Sequence, residues 1–126
     1  MGIDSKARYA ASHEYARQDG DEFVIGISDH AQAELGDIVF VELPAVGKTI
    51  AQGQAFGVVE SVKAASDLYM PLGGTIVAAN ASLEGDPALV NRDCYGDGWM
   101  IRIKAQDPTQ YGSLLDGAAY GATIGE

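Results

Sequence analysis

Lysine offers the most specific chemistry in this sequence, because the chain has only four: Lys6, Lys48, Lys63 and Lys104. Lys63 lies between two apolar segments, 55–62 and 68–71, that are typical of β-strands, and two alanines follow it directly. This pattern predicts a hairpin tip on which the long side chain projects into solvent. A lysine that an enzyme acylates needs such exposure, and acylation converts its charged amine into a neutral amide. On spacing alone, a solvated turn lysine without such a role remains the alternative.

Other reactive side chains form no recognisable catalytic or metal-binding pattern. Ser61 lacks the flanking glycines of a nucleophile elbow, and His13 and His30 fit no spacing of a catalytic triad. Two distant histidines and the single Cys94 also lack the ligand spacing of a zinc site. Hydrolysis by an activated nucleophile and zinc binding are therefore not expected.

The composition is strongly acidic, with 18 Asp and Glu against 8 Lys and Arg and a net charge of −10. A nucleic-acid partner is excluded, because a phosphate backbone must meet a basic patch. A lone cysteine cannot form an intrachain disulfide, no apolar stretch reaches the roughly 18 residues of a membrane span, and residues 1–15 predict no signal peptide. We expect a cytoplasmic, monomeric protein that associates with basic protein surfaces.

The elements that must position Lys63 are short, as 16 glycines and 4 prolines indicate. Besides the two segments flanking Lys63, strands are predicted at 22–27, 38–41, 47–50, 75–79 and 99–104. Ser28 predicts the N-cap of a helix over 29–35, and Gly36 its end. A further helical turn is predicted to open at 86–87, and a C-terminal helical region at Asp107.

Two patterns within these strands predict how they pack. The run IVFV at 38–41 is apolar on both strand faces, which favours a strand buried on both sides, and Phe40, Tyr69 and Trp99 are expected in the core. The segments 46–50 and 72–76 share a weak Gly-x-Thr-Ile pattern, which suggests that they pair in one sheet.

The segment around Lys63, VVESVKAASDLY at 58–69, resembles the lipoyl-lysine segment of glycine cleavage system H proteins. The similarity extends over about 9–120 and includes, in the family's order, SHEY at 12–15, GISDHAQ at 26–32, LGDIVFVELP at 35–44 and YGDGW at 95–99. Two departures are an aromatic exchange at Tyr15, where the family usually has Trp, and Cys94, where it usually has Pro. Glycines also dilute the C-terminal helical region.

The resemblance implies a mainly β fold of the barrel-sandwich hybrid, lipoyl-domain-like type with short peripheral helices. A single lipoyl-carrier domain would occupy residues 1–126, with a core of about 9–106 and a helical region of about 107–124. The protein would be a non-catalytic subunit that carries lipoate in amide linkage on Lys63. Glu60 and Ser61 would guide the lipoate-attaching enzymes, although both also fit as ordinary strand residues.

In the family, the lipoyl-lysine arm carries the aminomethyl group of glycine from a pyridoxal-phosphate glycine decarboxylase to an aminomethyltransferase, and dihydrolipoamide dehydrogenase then reoxidises it. The cargo is a cationic amine, which a cleft lined by carboxylates can hold away from water. Glu14, Asp67, Ser12 and His30 are the candidates for this cleft. Their alternatives are an ordinary surface or strand-edge carboxylate at Glu14, a turn cap at Asp67 and an ordinary helix histidine at His30.

Three other functions remain open on the residues. A lipoyl relay protein, which donates lipoate to other lipoyl domains, needs the same lysine. A biotin carrier shares the hairpin lysine but usually has methionines beside it, where this chain has Val62 and Ala64. An unmodified β domain that serves only as an interaction module is the alternative outside the carrier class.

Overall fold

The computed structural model describes residues 2–125, which form nine strands and five short helices. The strands are β1 (Ala7–Tyr9), β2 (Glu14–Asp19), β3 (Glu22–Ile27), β4 (Ile38–Glu42), β5 (Thr49–Ile50), β6 (Ala55–Ser61), β7 (Ala65–Tyr69), β8 (Gly74–Ala79) and β9 (Ile101–Ala105). The helices are α1 (Asp29–Leu35), α2 (Ser82–Gly85), α3 (Leu89–Arg92), α4 (Thr109–Gly112) and α5 (Gly117–Ile124). The predicted mainly β class with short helices is confirmed.

The strands form two antiparallel sheets around a shared apolar core. One sheet has six strands in the order β1-β2-β3-β9-β8-β5, and the other has three in the order β4-β6-β7. The largest buried cluster draws Ile25 and Ile103 from the six-stranded sheet and Val59 and Leu68 from the three-stranded sheet. The two sheets therefore bury their apolar faces against each other. The pairing expected from the Gly-x-Thr-Ile pattern is also present, since Thr49 lies opposite Thr75.

Helix α1 has the boundaries that its capping residues predict. The Ser28 hydroxyl accepts the Ala31 N–H at 3.1 Å, which satisfies one of the free donors of the first turn. Gly36 ends the helix at φ +80°, a backbone conformation that glycine adopts without a steric penalty. Local capping therefore determines where this helix, between β3 and β4, begins and ends.

The prediction that 38–41 is buried on both faces is wrong. Ile38 and Val41 are buried, but Val39 is 54% exposed and Phe40 48% exposed. β4 is an edge strand, and its register against β6 shifts between Ile38 and Phe40, so the strict alternation of faces is interrupted. Tyr69 is also 38% exposed, so neither Phe40 nor Tyr69 is the core residue that was expected.

The C-terminal region is helical as predicted but is interrupted. Helices α4 and α5 are separated by residues 113–116, where Leu115 forms a bridge with Tyr9 of β1. The helical turn predicted at 86–87 leads into α3, which begins at Leu89. The last predicted strand begins at Ile101, and Trp99 before it is half-buried in a second cluster away from Ile101.

This second cluster joins α5 to the six-stranded sheet through aromatic rings. Tyr9 and Tyr120 stack with ring centroids 4.2 Å apart and nearly parallel planes. Tyr15 is fully buried, and its hydroxyl donates to the Cys94 carbonyl at 2.6 Å. Tyr15 and Cys94, two positions at which the sequence departs from the H-protein pattern, are therefore in contact. The exchange of Trp for Tyr at position 15 keeps a packed aromatic ring.

Gly57 of β6 lies close against the Glu42 carbonyl of β4 and allows a test of this packing. A Cβ atom at Gly57 would lie 2.1 Å from the Glu42 carbonyl oxygen, so we expect Gly57→Ala to lower the free energy of unfolding by about 2–3 kcal/mol. Gly85→Ala is the matched control, because a Cβ there meets nothing within 4 Å, and the free energy should stay equal or rise by less than about 1 kcal/mol. Urea unfolding measures both, and equal effects would contradict the assigned packing.

Candidate functional site

Lys63 lies on the turn between β6 and β7, where the Ser61 side chain orders the backbone. The Ser61 hydroxyl accepts the N–H groups of Lys63 at 3.1 Å and Ala64 at 3.2 Å. The Ser61 N–H donates to the Ala64 carbonyl at 2.8 Å, which closes the hairpin. The Lys63 side chain is exposed, as the sequence predicts. Ser61 thus shapes the turn, and its role in recognition by a lipoate-attaching enzyme stays a prediction.

The C-terminal end of α1 lies beside this turn and contacts the lysine. The Lys63 amine is 3.5 Å from the Glu34 carbonyl oxygen, at the partly negative end of the helix. Its Cε would lie 3.3 Å from a Cβ at Gly36, so a side chain at position 36 would crowd the lysine. The Val62 N–H also donates to the Asp37 carbonyl at 3.0 Å. The segment after α1 therefore positions both the turn and the lysine side chain.

A cavity of about 250 Å³ opens between α1, β7 and the loop before β2, and we call it the α1 cavity. It is lined by Ser12, His13, Glu14, Ile27, Ala31, Glu34, Leu35, Val59, Ser66, Asp67 and Leu68. Three of the four residues predicted for a cleft, Ser12, Glu14 and Asp67, are brought together in this lining. The fourth, His30, is not part of the lining. Its Nε2 lies 2.9 Å from the Glu34 carboxylate, one helical turn further along α1.

Glu14 is the buried carboxylate of the α1 cavity, with 2% of its surface exposed. Its Oε1 accepts a hydrogen bond from the Ser12 hydroxyl, and its Oε2 accepts the Tyr69 N–H at 3.0 Å. Burial raises the pKa of Glu14 above its ordinary value, while both hydrogen bonds act in the opposite direction. The cavity therefore contains a carboxylate with few water contacts, which suits it to pair with a cation. The alternative of an ordinary surface carboxylate is wrong, because the side chain is buried.

His13 is a lining residue that the sequence did not identify as part of the cleft. Its φ is +80°, the left-handed region that few non-glycine residues occupy. Its ring centroid is 5.1 Å from that of His30, and its Nδ1 lies 2.7 Å from the Tyr120 hydroxyl. Burial lowers the pKa of His13, the nearby His30 lowers it further, and Glu34 opposes both effects. These features favour a neutral imidazole on the cavity wall.

Glu34 also lines the α1 cavity and was not among the residues predicted for the cleft, although its spacing from His30 could have identified it. Residues four apart lie on the same face of a helix, so a predicted helix over 29–35 with a candidate at His30 points to position 34. Glu60, by contrast, is exposed on β6, pairs with Ala65 and does not line the α1 cavity. Its predicted role in lipoylation is not tested by this geometry.

Neither a metal site nor a membrane-spanning helix is found among the residues that the structure describes. Within residues 2–125, no cluster of three His, Cys, Asp or Glu side chains is arranged to bind a metal ion. None of the helices in that range has the length and apolar composition of a transmembrane segment.

The raised pKa of Glu14 predicts how stability depends on pH. The unfolded chain releases the Glu14 proton near the ordinary value of 4.5, whereas the folded protein retains it to higher pH. Glu14 thus contributes stability that is fully present below pH 4.5 and is lost as the pH rises through the folded pKa. The free energy of unfolding of the wild type, minus that of Glu14→Gln, should therefore fall as the pH increases from about 4 to 8.

Urea unfolding at a series of pH values measures this difference. Glu84→Gln is the matched control, because Glu84 is exposed on α2 and lies outside the α1 cavity. The free energy of unfolding of the wild type, minus that of Glu84→Gln, should change less with pH. A difference for Glu14→Gln that rises with pH would show that the carboxylate is stabilised, not penalised, by its surroundings.

Comparisons with known proteins agree on one family. A family model described as glycine cleavage H-protein matches residues 7–126. The glycine cleavage system H protein of Pseudoalteromonas atlantica is 55% identical over 98% of this chain and 97% of its own length, and that of Idiomarina loihiensis is 53% identical over the same shares. The crystal structure of a glycine cleavage system H protein from Mycobacterium marinum superimposes with a TM-score of 0.91, at 37% identity, covering 98% of this chain and 100% of that one. This match confirms the expected barrel-sandwich fold, and the chain belongs to the glycine cleavage H-protein family.

Proposed function

We propose that this chain is a non-catalytic lipoyl carrier of the glycine cleavage system, with lipoate attached by an amide bond to Lys63. The observation that carries the proposal is an exposed lysine on an ordered turn, next to a cavity that contains a buried carboxylate. Acylation removes the charge of the Lys63 amine but leaves one N–H, which can still donate to the Glu34 carbonyl. The local contact of the lysine is therefore compatible with the modification.

The residues of the α1 cavity suit a lipoyl group that carries an amine. Val59 and Leu68 supply an apolar wall for a hydrocarbon arm, and Glu14 and Asp67 supply negative charge for a cationic end. The bound dithiol supplies the sulfur that carries the aminomethyl group of glycine. Glu14 would pair with the amine, while the Ser12 hydroxyl holds that carboxylate in place. His30 would act indirectly, by orienting Glu34 through the contact between its Nε2 and the Glu34 carboxylate.

The surface around the turn suits brief contacts with several enzymes. Val62 is 68% exposed directly beside Lys63, and the exposed Val39 and Phe40 lie on β4, where Phe40 is opposite Glu60. The net charge of −10 favours fast and reversible association with basic surfaces. We assign this surface to the pyridoxal-phosphate glycine decarboxylase, the aminomethyltransferase, dihydrolipoamide dehydrogenase and the lipoate-attaching enzymes, with Glu60 and Ser61 contacting the last. We also propose that the protein is a monomer and lies in the cytoplasm.

The lipoyl relay alternative uses the same lysine but places no demand on the cavity. Donation of lipoate needs an accessible amide on the turn, whereas holding a cationic amine needs the buried carboxylate. Glu14 therefore favours the glycine cleavage role over the relay.

Modification of Lys63 is tested by intact mass spectrometry of protein from a host that attaches lipoate. We expect one lipoyl increment on the wild type, mapped to Lys63, and none on Lys63→Arg, which should fold normally because the side chain is exposed. Lys48→Arg is the matched control, since Lys48 is also exposed, and it should be lipoylated fully. The lipoylated protein should then support glycine–bicarbonate exchange with glycine decarboxylase.

Two results would overturn this proposal in different ways. A wild type without the increment, or with the increment on another lysine, would remove the carrier role at Lys63. A lipoylated protein that failed in the exchange reaction would leave a lipoyl carrier and favour the relay.

A further inference from the structure

The side-chain amide of Asn91, on α3, binds both sides of the short segment that joins α1 to β4. Its Nδ2 donates to the Gly36 carbonyl at 2.9 Å, and its Oδ1 accepts the Ile38 N–H at 2.9 Å. Nδ2 also donates to Oε1 of Gln32, within α1, at 2.9 Å. These partners lie 53 to 59 residues before Asn91 in the sequence. One side chain of α3 therefore links α1, its C-cap and the first residue of β4.

The direction of each of these hydrogen bonds is fixed by the chemistry of the partners. The Ile38 N–H can only donate and the Gly36 carbonyl can only accept, so these two backbone groups set the orientation of the Asn91 amide. The Gln32 Nε2 donates to the Asp29 carboxylate at 2.8 Å, which leaves the Gln32 Oε1 to accept from Asn91. Asn91 thus uses both of its N–H groups and its oxygen in these contacts.

The segment 36–38 that Asn91 binds also lies against the turn that bears Lys63. The Asp37 carbonyl, between the two backbone partners of Asn91, accepts the Val62 N–H at 3.0 Å. Val62 directly precedes Lys63, and its side chain is 68% exposed. Burial therefore contributes little to holding this side of the turn, and the hydrogen bond to Asp37 takes a large part in fixing it.

We propose that Asn91 is a positioning residue of the lysine site: its amide fixes the segment 36–38, and this segment holds the Lys63 turn beside α1. The consequence for modification rests on the proposed function. A lipoate-attaching enzyme must bind the turn in one conformation, and a loosened turn spends only part of its time in that conformation. The apparent affinity of the enzyme falls by the same fraction.

Asn91→Asp is the variant that isolates this contact. A carboxylate has nearly the same shape as the amide, and one of its oxygens can still accept the Ile38 N–H. The other oxygen would face the Gly36 carbonyl and the Gln32 Oε1, and two acceptors cannot form a hydrogen bond with each other. The segment after α1 should therefore lose its link to α3 without a change in the volume of the side chain.

Asn80→Asp is the matched control, because Asn80 makes the same set of contacts away from the turn. Its Nδ2 donates to the carbonyls of Asp97 and Trp99, and its Oδ1 accepts the Ser82 N–H. Asn80 is 6% exposed, whereas Asn91 is half-buried. The control should therefore lower the free energy of unfolding at least as much as Asn91→Asp does, which separates loss of overall stability from loss of the link to the turn.

The first test measures amide hydrogen exchange at Val62 by NMR in the unlipoylated protein. We expect the wild type to protect this amide, because it donates to the Asp37 carbonyl. Asn91→Asp should raise its exchange rate roughly tenfold, as expected when the hydrogen bonds that hold the acceptor are lost. Asn80→Asp should leave the rate within about twofold of wild type, since the turn opens locally and not by unfolding of the whole domain.

Any of three results would overturn the proposal. An unprotected Val62 amide in the wild type would show that segment 36–38 does not hold the turn, and this measurement does not depend on the folding of a variant. An unchanged rate in Asn91→Asp would show that Asn91 does not act on the turn. Equal acceleration in Asn80→Asp would show that Asn91 acts only through overall stability.

The second test measures the rate at which a purified lipoate-attaching enzyme modifies each protein at a concentration below saturation. Asn91→Asp should be lipoylated several-fold more slowly than wild type, and Asn80→Asp within about twofold of the wild-type rate. Equal rates in all three proteins would contradict the positioning role but leave Lys63 as a carrier site. A wild type that is not lipoylated would overturn the proposed function instead, and the exchange measurement would still decide whether Asn91 holds the turn.

Discussion

A carboxylate removed from water requires hydrogen-bond donors in place of solvent, and Glu14 meets this requirement by joining the two sheets. Glu14 begins β2 of the six-stranded sheet, and its Oε2 accepts the N–H of Tyr69 in the three-stranded sheet. The Ser12 hydroxyl donates a hydrogen bond to its other oxygen, Oε1. The same contacts that make burial of this carboxylate possible also leave it lining the α1 cavity, where its pKa is raised. The rest of the site is arranged around this residue.

Helix α1 connects the cavity that contains Glu14 with the turn that bears Lys63. Its residues Ala31, Glu34 and Leu35 line the cavity, while the Glu34 carbonyl at its end accepts from the Lys63 amine. Its first turn is capped by Ser28, whose hydroxyl also contacts Tyr120 of α5. A seven-residue helix therefore contacts the modification site, the cavity and the C-terminal helix together. Its short length makes the two caps, Ser28 and Gly36, decisive for the geometry of the site.

Several features with a local cause were predictable from the sequence, whereas the exposure of Phe40 and the position of His13, which distant contacts set, were not. The caps predicted α1, and the two apolar segments that flank Lys63 predicted the hairpin that bears it. The exposure of Phe40 was missed because it depends on a register shift between β4 and β6. Ser12, Glu14 and Asp67 were named through the family resemblance, and the structure places them in one cavity. His13 was missed as a lining residue because its partner, Tyr120, lies near the other end of the chain.

We propose that the α1 cavity binds a cationic amine carried on Lys63, and the amide resonance of Tyr69 reports on this binding. This N–H donates to Glu14, so pairing of Glu14 with an amine must change its chemical shift. We predict that loading the lipoylated protein with the aminomethyl group shifts the amide resonances of Tyr69, Glu14 and Asp67 in ¹H–¹⁵N NMR spectra. Shifts confined to residues 62–64 on the turn would show that the loaded arm remains in solvent, and would contradict the claim.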